Sequence, residues 1–274
     1  MKREQLCFST LGCVEKTAEE VTELAVHYGI GSLEVRGLAG ELDVGKIAAF
    51  SEEKAAATLA LWRQNGVMPR VLGTSCAFHD AGKLEAALKE GREALVVARR
   101  MGFGAIRVFG NKLCRGEATE ETAERVARSI LALCDAAEEA DVQVLLEVHG
   151  DFNRCETLLP VLDCCGKHAS FGLIWDVAHS DRAYGADWRA FYREIRPFIR
   201  HVHLKDHVRT SDGTPPRLVL PGEGDIPLAD ILAVLECDGF AGGYSLEWEA
   251  KWYPELPPLS VALERYCSLM EAYI

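Results

Sequence analysis

Short apolar runs alternate with longer amphipathic segments along the whole chain. The short runs are bounded by glycine or polar residues, a pattern typical of strands buried on both faces of a parallel sheet. Eight strands are predicted in this way, at residues 6–9, 32–36, 69–75, 105–109, 142–148, 171–175, 199–204 and 244–248.

The segments between these runs carry apolar residues at helical spacing. In one of them Val126, Ile130 and Leu133 recur every three or four residues, which predicts a buried helical face. Thr17 begins the first helix, because Glu20 three residues later completes a capping box. The predicted helices occupy residues 17–29, 46–65, 82–100, 120–140, 155–166, 188–197, 228–237 and 260–273.

Eight strand–helix units without a linker predict an α/β fold, a single (β/α)8 TIM barrel that spans residues 1–274 as one domain. The length of 274 residues suits such a barrel, which typically needs about 250. The open, doubly wound sheet is disfavoured, since no Gly-x-Gly-x-x-Gly follows the first strand to bind a dinucleotide.

Composition and the N-terminal sequence limit which binding partners, location and cysteine chemistry we expect. The net charge of −12 argues against a nucleic-acid partner, whose phosphates require a basic surface. No apolar stretch approaches the roughly 20 residues of a membrane span, so we expect no membrane partner. The N-terminus lacks a secretory signal, which predicts a cytoplasmic protein. The ten cysteines are scattered through apolar segments and are expected to be reduced thiols.

The last four predicted strands each end with a carboxylate or an imidazole among apolar neighbours. In a (β/α)8 barrel such residues meet at the C-terminal mouth. Three carboxylates there would repel one another unless a divalent cation lay between them. Three oxygens and one nitrogen suit manganese, magnesium, cobalt or zinc, and we predict one such ion. The predicted ligands are Glu147, Asp176, His203 and Glu247.

Taken singly, each of these residues has a simpler explanation. A carboxylate at a strand end is more often a helix cap or an ion-pair partner. His201 and His203 alternate with apolar residues, so both imidazoles could simply pack in the core. The occurrence of such residues on four consecutive strands favours the metal site.

With these residues the chain resembles the xylose isomerase-like TIM-barrel superfamily, which includes sugar phosphate isomerases, epimerases and ketose 3-epimerases. The resemblance is sharpest over residues 144–252. In the ketose 3-epimerases the metal is held by Glu, Asp, His and Glu from strands five to eight, as in the predicted set. A histidine three residues after the Asp corresponds to His179, and an arginine six residues after the ligand His corresponds to Arg209; both bind substrate in that family.

The resemblance implies a metal-dependent sugar isomerase or epimerase. Glu147 and Glu247 would be the catalytic residues, moving a proton beside a metal-chelated carbonyl through an enediolate. The substrate would be a small sugar or polyol, and a homo-oligomer is left open. Further candidates to bind substrate are Lys205, His79 and Glu34, with Arg36 and Arg107 beside them. An ion pair of Lys205 with Asp206 or Asp176, and of Arg36 with Glu34, would be a purely structural alternative.

One residue departs from the epimerase pattern and keeps other activities open. Asn153 stands where those epimerases carry a second Glu, six residues after Glu147. An inosose-type dehydratase on the same metal site is therefore the main alternative. An apurinic endonuclease is disfavoured, since the fourth strand lacks the histidine that its trinuclear zinc site needs. A non-catalytic sugar-binding barrel has no need for three buried carboxylates.

Overall fold

The computed structural model describes residues 1–210 and 214–274. Eight parallel strands close into a barrel in the order β1-β10-β7-β6-β5-β4-β3-β2, so the predicted fold is confirmed. The barrel strands are β1 (Leu6–Ser9), β2 (Ser32–Val35), β3 (Met68–Ala77), β4 (Ala105–Phe109), β5 (Gln143–Glu147), β6 (Phe171–Asp176), β7 (Ile199–Leu204) and β10 (Gly243–Leu246).

Helices connect consecutive barrel strands and cover the outside. The first begins as predicted, since Thr17 Oγ1 accepts the N–H of Glu20 at 3.3 Å and Glu20 accepts the N–H of Thr17 at 2.9 Å. The helices are α1 (Ala18–His27), α2 (Ala55–Gln64), α3 (Leu84–Met101), α4 (Thr119–Ala140), α5 (Cys155–Cys165), α6 (Val177–Tyr184), α7 (Trp188–Ile195), α8 (Leu228–Cys237) and α9 (Leu259–Met270).

Two helices differ from the predictions. The segment 46–65 is not one helix: a 3₁₀ turn at Ala48–Phe50 and a bend come before α2. A short helix, α6, was not predicted, and it begins directly at the end of β6. Asp176 is both the last residue of β6 and the N-cap of α6, where its Oδ1 accepts the N–H groups of Ala178 and His179 at 2.8 and 3.1 Å.

A β-hairpin after β7 was also not predicted. Its strands β8 (Asp206–Val208) and β9 (Arg217–Val219) are antiparallel. The carboxylate of Asp206 is buried and accepts the backbone N–H groups of His207, Gly222, Gly224 and Ile226 at 2.9–3.2 Å. This carboxylate therefore fixes the returning loop beside the barrel mouth.

The core lies in the barrel and between the barrel and its helices. Phe50, Trp62 and Phe103 pack edge to face there, with ring centroids 5.8–6.0 Å apart. All ten cysteines are free, and four of them are buried. Within the described ranges, no helix combines the length and the apolarity needed to cross a bilayer.

Candidate metal centre

The four predicted ligands meet at the C-terminal mouth of the barrel. Glu147 and Asp176 end β5 and β6, His203 lies in β7, and Glu247 directly follows β10. Strand register sets Asp176 level with His203. Glu147 pairs with Ile174, two residues before Asp176, and His203 pairs with Ser245, two residues before Glu247. One ligand atom from each of the four lies within 4.8 Å of the others.

The chemistry of this set fits a divalent metal ion. All four side chains are at most 5 % exposed. Nδ1 of His203 faces the carboxylates, 3.4 Å from Glu247 Oε2 and 3.9 Å from Glu147 Oε2. Carboxylate oxygens and an imidazole nitrogen that converge in this way are a donor set for manganese, magnesium, cobalt or zinc.

Glu34 binds the nitrogen of His203 that faces away from the other three ligands. Its Oε2 is 2.9 Å from Nε2 of His203 and 2.9 Å from Nε2 of His201. Burial would raise the pKa of Glu34, but the charges and hydrogen bonds of the two imidazoles outweigh it and hold the pKa below its usual range. A carboxylate bound to the far nitrogen of an imidazole fixes the ring's orientation and makes the other nitrogen a better metal ligand.

Two buried cations reduce the repulsion between the carboxylates. Nη1 of Arg107 lies 3.0 Å from Glu147 Oε2 and 3.8 Å from Glu247 Oε1. Nζ of Lys205 is 2.8 Å from Asp176 Oδ2, and it also pairs with Glu247 and Glu249. Burial opposes ionisation of Asp176, but the charge of Lys205 prevails and lowers the pKa to about 2.

The two glutamates of the quartet differ in acidity. Burial raises the pKa of Glu147 above its usual value, and the nearby charge of Glu247 adds to this. Burial acts on Glu247 in the same direction, but the charges of His203 and Lys205 outweigh it and hold that pKa well below the usual range. Two carboxylates at one mouth therefore hold their protons with different strength.

A cavity of about 290 Å³ opens beside the quartet. This volume is at the lower end of the range for small-molecule sites. A larger hollow, about 580 Å³, lies near the starts of β5 and β7, at the end of the barrel opposite to the one that carries function. The cavity at the mouth is lined by Leu11, Arg36, Ser75, Ala77, Arg107, Phe109, Asn111, Glu147, His149, His179, Lys205, Glu247, Glu249 and Trp252.

The residues predicted to bind substrate fall into two groups. His179 and Lys205 line the cavity, whereas Glu34, His79 and Arg209 do not. Glu34 is fully buried on the two imidazoles. The ion pair of Lys205 with Asp176, which the sequence left as an alternative, is present.

His79 and Arg209 make other contacts. The carbonyl oxygen of His79 accepts hydrogen bonds from the guanidinium of Arg125 at 2.8 and 3.0 Å. Arg209 is half exposed, and its Nε donates to Asp181 Oδ2 at 3.1 Å. His207 is bound to the same carboxylate at 2.9 Å, so Asp181 joins α6 to the hairpin.

Two titratable residues that line the cavity were not predicted. His149 and Glu249 line the cavity, each two residues after a predicted ligand. Side chains two apart in an extended segment point to the same side, and this periodicity was the signal that could have found them. The His149 and His179 rings lie 4.1 Å apart between centroids, and burial lowers the pKa of His179 to about 3.

Comparison with known proteins identifies the family to which this fold belongs. A family model described as a xylose isomerase-like TIM barrel matches residues 22–266. The chain belongs to the xylose isomerase-like TIM-barrel family. No curated protein matches it at the level of sequence.

Solved structures share the fold of this xylose isomerase-like barrel. One is the IOLI protein with a bound zinc atom, 20% identical with a TM-score of 0.79, covering 98% of this chain and 99% of that one. Another is a probable 3-DHS dehydratase, AsbF, from Bacillus anthracis, at 16% identity, TM-score 0.76 and coverage of 95% and 97%. A third is the 3-keto-D-glucoside 4-epimerase YcjR from E. coli, at 14% identity, TM-score 0.73 and coverage of 97% and 99%.

Proposed function

We propose that the protein is a divalent-metal-dependent isomerase or epimerase of sugars or sugar phosphates. The observation that carries the proposal is the buried quartet of three carboxylates and one imidazole, whose ligand atoms lie within 4.8 Å of one another beside an open cavity. Glu147, Asp176, His203 and Glu247 would hold one ion, manganese, magnesium, cobalt or zinc. Such an ion supplies Lewis-acid polarisation of a carbonyl and its neighbouring hydroxyl.

Glu147 and Glu247 are the proposed catalytic residues. Both line the cavity, and their strands β5 and β10 are separated by β6 and β7 around the barrel. One carboxylate takes the proton from the carbon beside the carbonyl, which leaves an enediolate, and the other returns a proton. Return to the same carbon from the opposite face inverts its configuration, whereas return to the neighbouring carbon moves the carbonyl.

Other cavity residues would hold the substrate. His179 is uncharged at neutral pH, because burial lowers its pKa to about 3, and its imidazole is suited to hydrogen bonds with sugar hydroxyls. Lys205 lines the same cavity, and its ammonium would stabilise negative charge that develops on a substrate oxygen. The side wall formed by Phe109 and Trp252 offers apolar surface to a sugar ring.

A dehydratase is the second candidate, and His149 is the residue that favours it. Dehydration begins with the same proton abstraction but then expels a hydroxide, which needs a proton from a nearby acid. The imidazole of His149 lines the cavity next to His179 and could supply that proton.

The test combines metal analysis with hydrogen exchange. Purified protein is analysed for bound metal and then incubated in D2O with a panel of ketoses, aldoses and inososes. We expect about one divalent ion per chain and incorporation of solvent deuterium at a carbon next to the carbonyl. A product of unchanged composition identifies an isomerase or epimerase, and a product that has lost water identifies a dehydratase.

Two variants test whether Glu147 and Glu247 carry out the proton transfer. Glu147→Gln and Glu247→Gln, reloaded with metal and checked for metal content, should each exchange at least about 100-fold more slowly. Glu255→Gln, a change of an exposed glutamate, is the matched control and should be unaffected. Absence of bound metal, together with absence of exchange for every compound, would overturn the proposed function.

A further inference from the structure

Arg36 differs from the other two cationic residues that line the cavity. Arg107 pairs with Glu147 and Glu247, and Lys205 pairs with Asp176. Among residues 1–210 and 214–274, Arg36 pairs with no carboxylate. Its Nη1 donates to the carbonyl oxygen of Leu42 at 3.1 Å and its Nη2 to Ser75 Oγ at 2.8 Å. The remaining N–H donors of the guanidinium have no partner in these ranges.

The surroundings of Arg36 make this unpaired charge costly. The side chain is only 8 % exposed, and a buried charge is destabilising unless an opposite charge or several hydrogen bonds compensate it. A second cation lies nearby across Gly73: a Cβ at residue 73 would be 3.0 Å from Cδ of Arg36 and 3.4 Å from Nη2 of Arg107. Glu90, Glu147 and Glu247 are close enough for their charges to act on Arg36, but none of them forms an ion pair with it, and Glu90 accepts the N–H of Ser75 instead.

Because the guanidinium of Arg36 lies on the wall of the cavity without a carboxylate partner among the described residues, we infer that the ligand supplies the compensating negative charge. We propose that the substrate carries a carboxylate or phosphate group and that Arg36 binds it. A guanidinium presents paired N–H donors that match the oxygens of both anions. Ser75 holds the guanidinium in place and lines the same wall.

One small molecule in this cavity can contact Arg36 and the carboxylates together. Arg36, Glu147 and Glu247 line the same space of about 290 Å³, so a substrate bound at Arg36 by its anionic end extends toward the carboxylates. The inference rests on the proposed function, since it names the class of substrate for the same site. It assigns Arg36 to binding and specificity, apart from proton transfer.

The test compares three ligands that share one ketose chain. D-fructose ends in a hydroxymethyl group, D-fructuronate in a carboxylate and D-fructose 6-phosphate in a phosphate. Dissociation constants are measured by calorimetry on protein incubated with manganese and analysed for bound metal, for the wild type, Arg36→Gln and Arg36→Lys. Arg63→Gln, which removes an exposed charge on α2, is the matched control.

We expect one or both anionic ketoses to bind about 10- to 100-fold more tightly than D-fructose to the wild type and to Arg63→Gln. Arg36→Gln should lose this preference while its affinity for D-fructose changes less than about threefold, and Arg36→Lys should recover part of it. The member of the pair that binds more tightly distinguishes a carboxylate from a phosphate.

Equal affinity of the wild type for all three ketoses overturns the inference, and this arm does not depend on the folding of any variant. A preference that survives in Arg36→Gln overturns it as well. Metal content and deuterium exchange are measured on the same samples. If deuterium exchanges but the anionic ketoses bind no more tightly than D-fructose, the inference fails and the proposed function stays in place. If the preference for anions is present in the wild type and lost in Arg36→Gln, but the protein binds no metal and exchanges no compound, the anion site is supported and the proposed function is contradicted.

Discussion

Glu34 and Glu247 are buried glutamates on either side of one imidazole, yet their surroundings give them different tasks. Glu34 contacts His203 through Nε2 and does not line the cavity. Glu247 faces Nδ1 of the same ring at 3.4 Å, pairs with Lys205 and does line the cavity. Of the two, Glu247 alone lines the cavity, so we propose that Glu34 is a positioning residue that acts through His203.

Glu34→Gln tests this division. The amide keeps the size of the side chain but removes the charge that fixes and polarises His203. Loss of such a partner typically weakens metal binding by about 10- to 100-fold. We expect a weakening of this size, measured by competition with a chromophoric chelator, while deuterium exchange at saturating metal stays close to that of the wild type.

The matched control is Glu255→Gln, in which an exposed glutamate changes in the same way. Its metal affinity should equal that of the wild type. An unchanged affinity in Glu34→Gln would show that His203 does not depend on this carboxylate. A proportional loss of exchange at saturating metal would place Glu34 in the proton transfer itself.

The sequence alone does not distinguish a residue that lines the cavity from one that is buried below it. Glu34 and Glu247 both follow apolar residues at the end of a strand, so the sequence indicated that both could reach the mouth. Their roles depend on how deep each side chain lies in the barrel, and this depth is set only when the barrel closes. Arg36 and Arg107 raised the same difficulty: both were candidates, but only the packing shows that Arg107 is paired with a carboxylate and that Arg36, within the described residues, is not.

At the scale of elements, the barrel strands and most of the helices between them were predictable, whereas α6 and the hairpin after β7 were not. Barrel strands carry apolar runs that set them apart from their surroundings, and β7 was predicted to the residue at 199–204. The hairpin β8–β9 has strands of only three residues each, in which polar and apolar residues are mixed and no such run occurs. Its returning loop is fixed by the buried carboxylate of Asp206, which accepts N–H groups from both sides of the hairpin.

Asp206→Ala should destabilise the protein through this hairpin and its returning loop. Four backbone N–H groups lose a charged acceptor, and each such loss in a buried site costs on the order of 1–3 kcal/mol before water compensates. We expect the free energy of unfolding, measured in urea, to fall by roughly 3 kcal/mol or more.

Glu223→Ala serves as the control within the same loop. Glu223 is about half exposed, and its pair with Arg265 at 3.6 Å lies at the surface, so the change should cost less than about 0.5 kcal/mol. Similar losses in the two variants would mean that the loop is held by something other than Asp206.

At the scale of the whole molecule, barrel closure concentrates opposing charges at one mouth. The carboxylates of Glu147, Asp176 and Glu247 come from segments spread over about a hundred residues of the chain, and no local propensity brings them together. In the absence of metal, Arg107 and Lys205 provide the compensation. A divalent ion adds positive charge among the carboxylates, and only the folded barrel can assemble the site.

Metal loading should therefore stabilise the folded protein. A ligand that binds only the folded state at 100 times its Kd adds about 2.7 kcal/mol. For a chain of this size each kcal/mol raises the Tm by roughly 2–4 °C, so we expect loading to raise it by about 5–10 °C and chelation to reverse the change. Differential scanning calorimetry on metal-loaded and chelator-treated protein measures it. In His203→Ala the same addition should leave the Tm nearly unchanged, since the imidazole that faces the carboxylates is gone; an equal rise there would place the stabilising ion at another site.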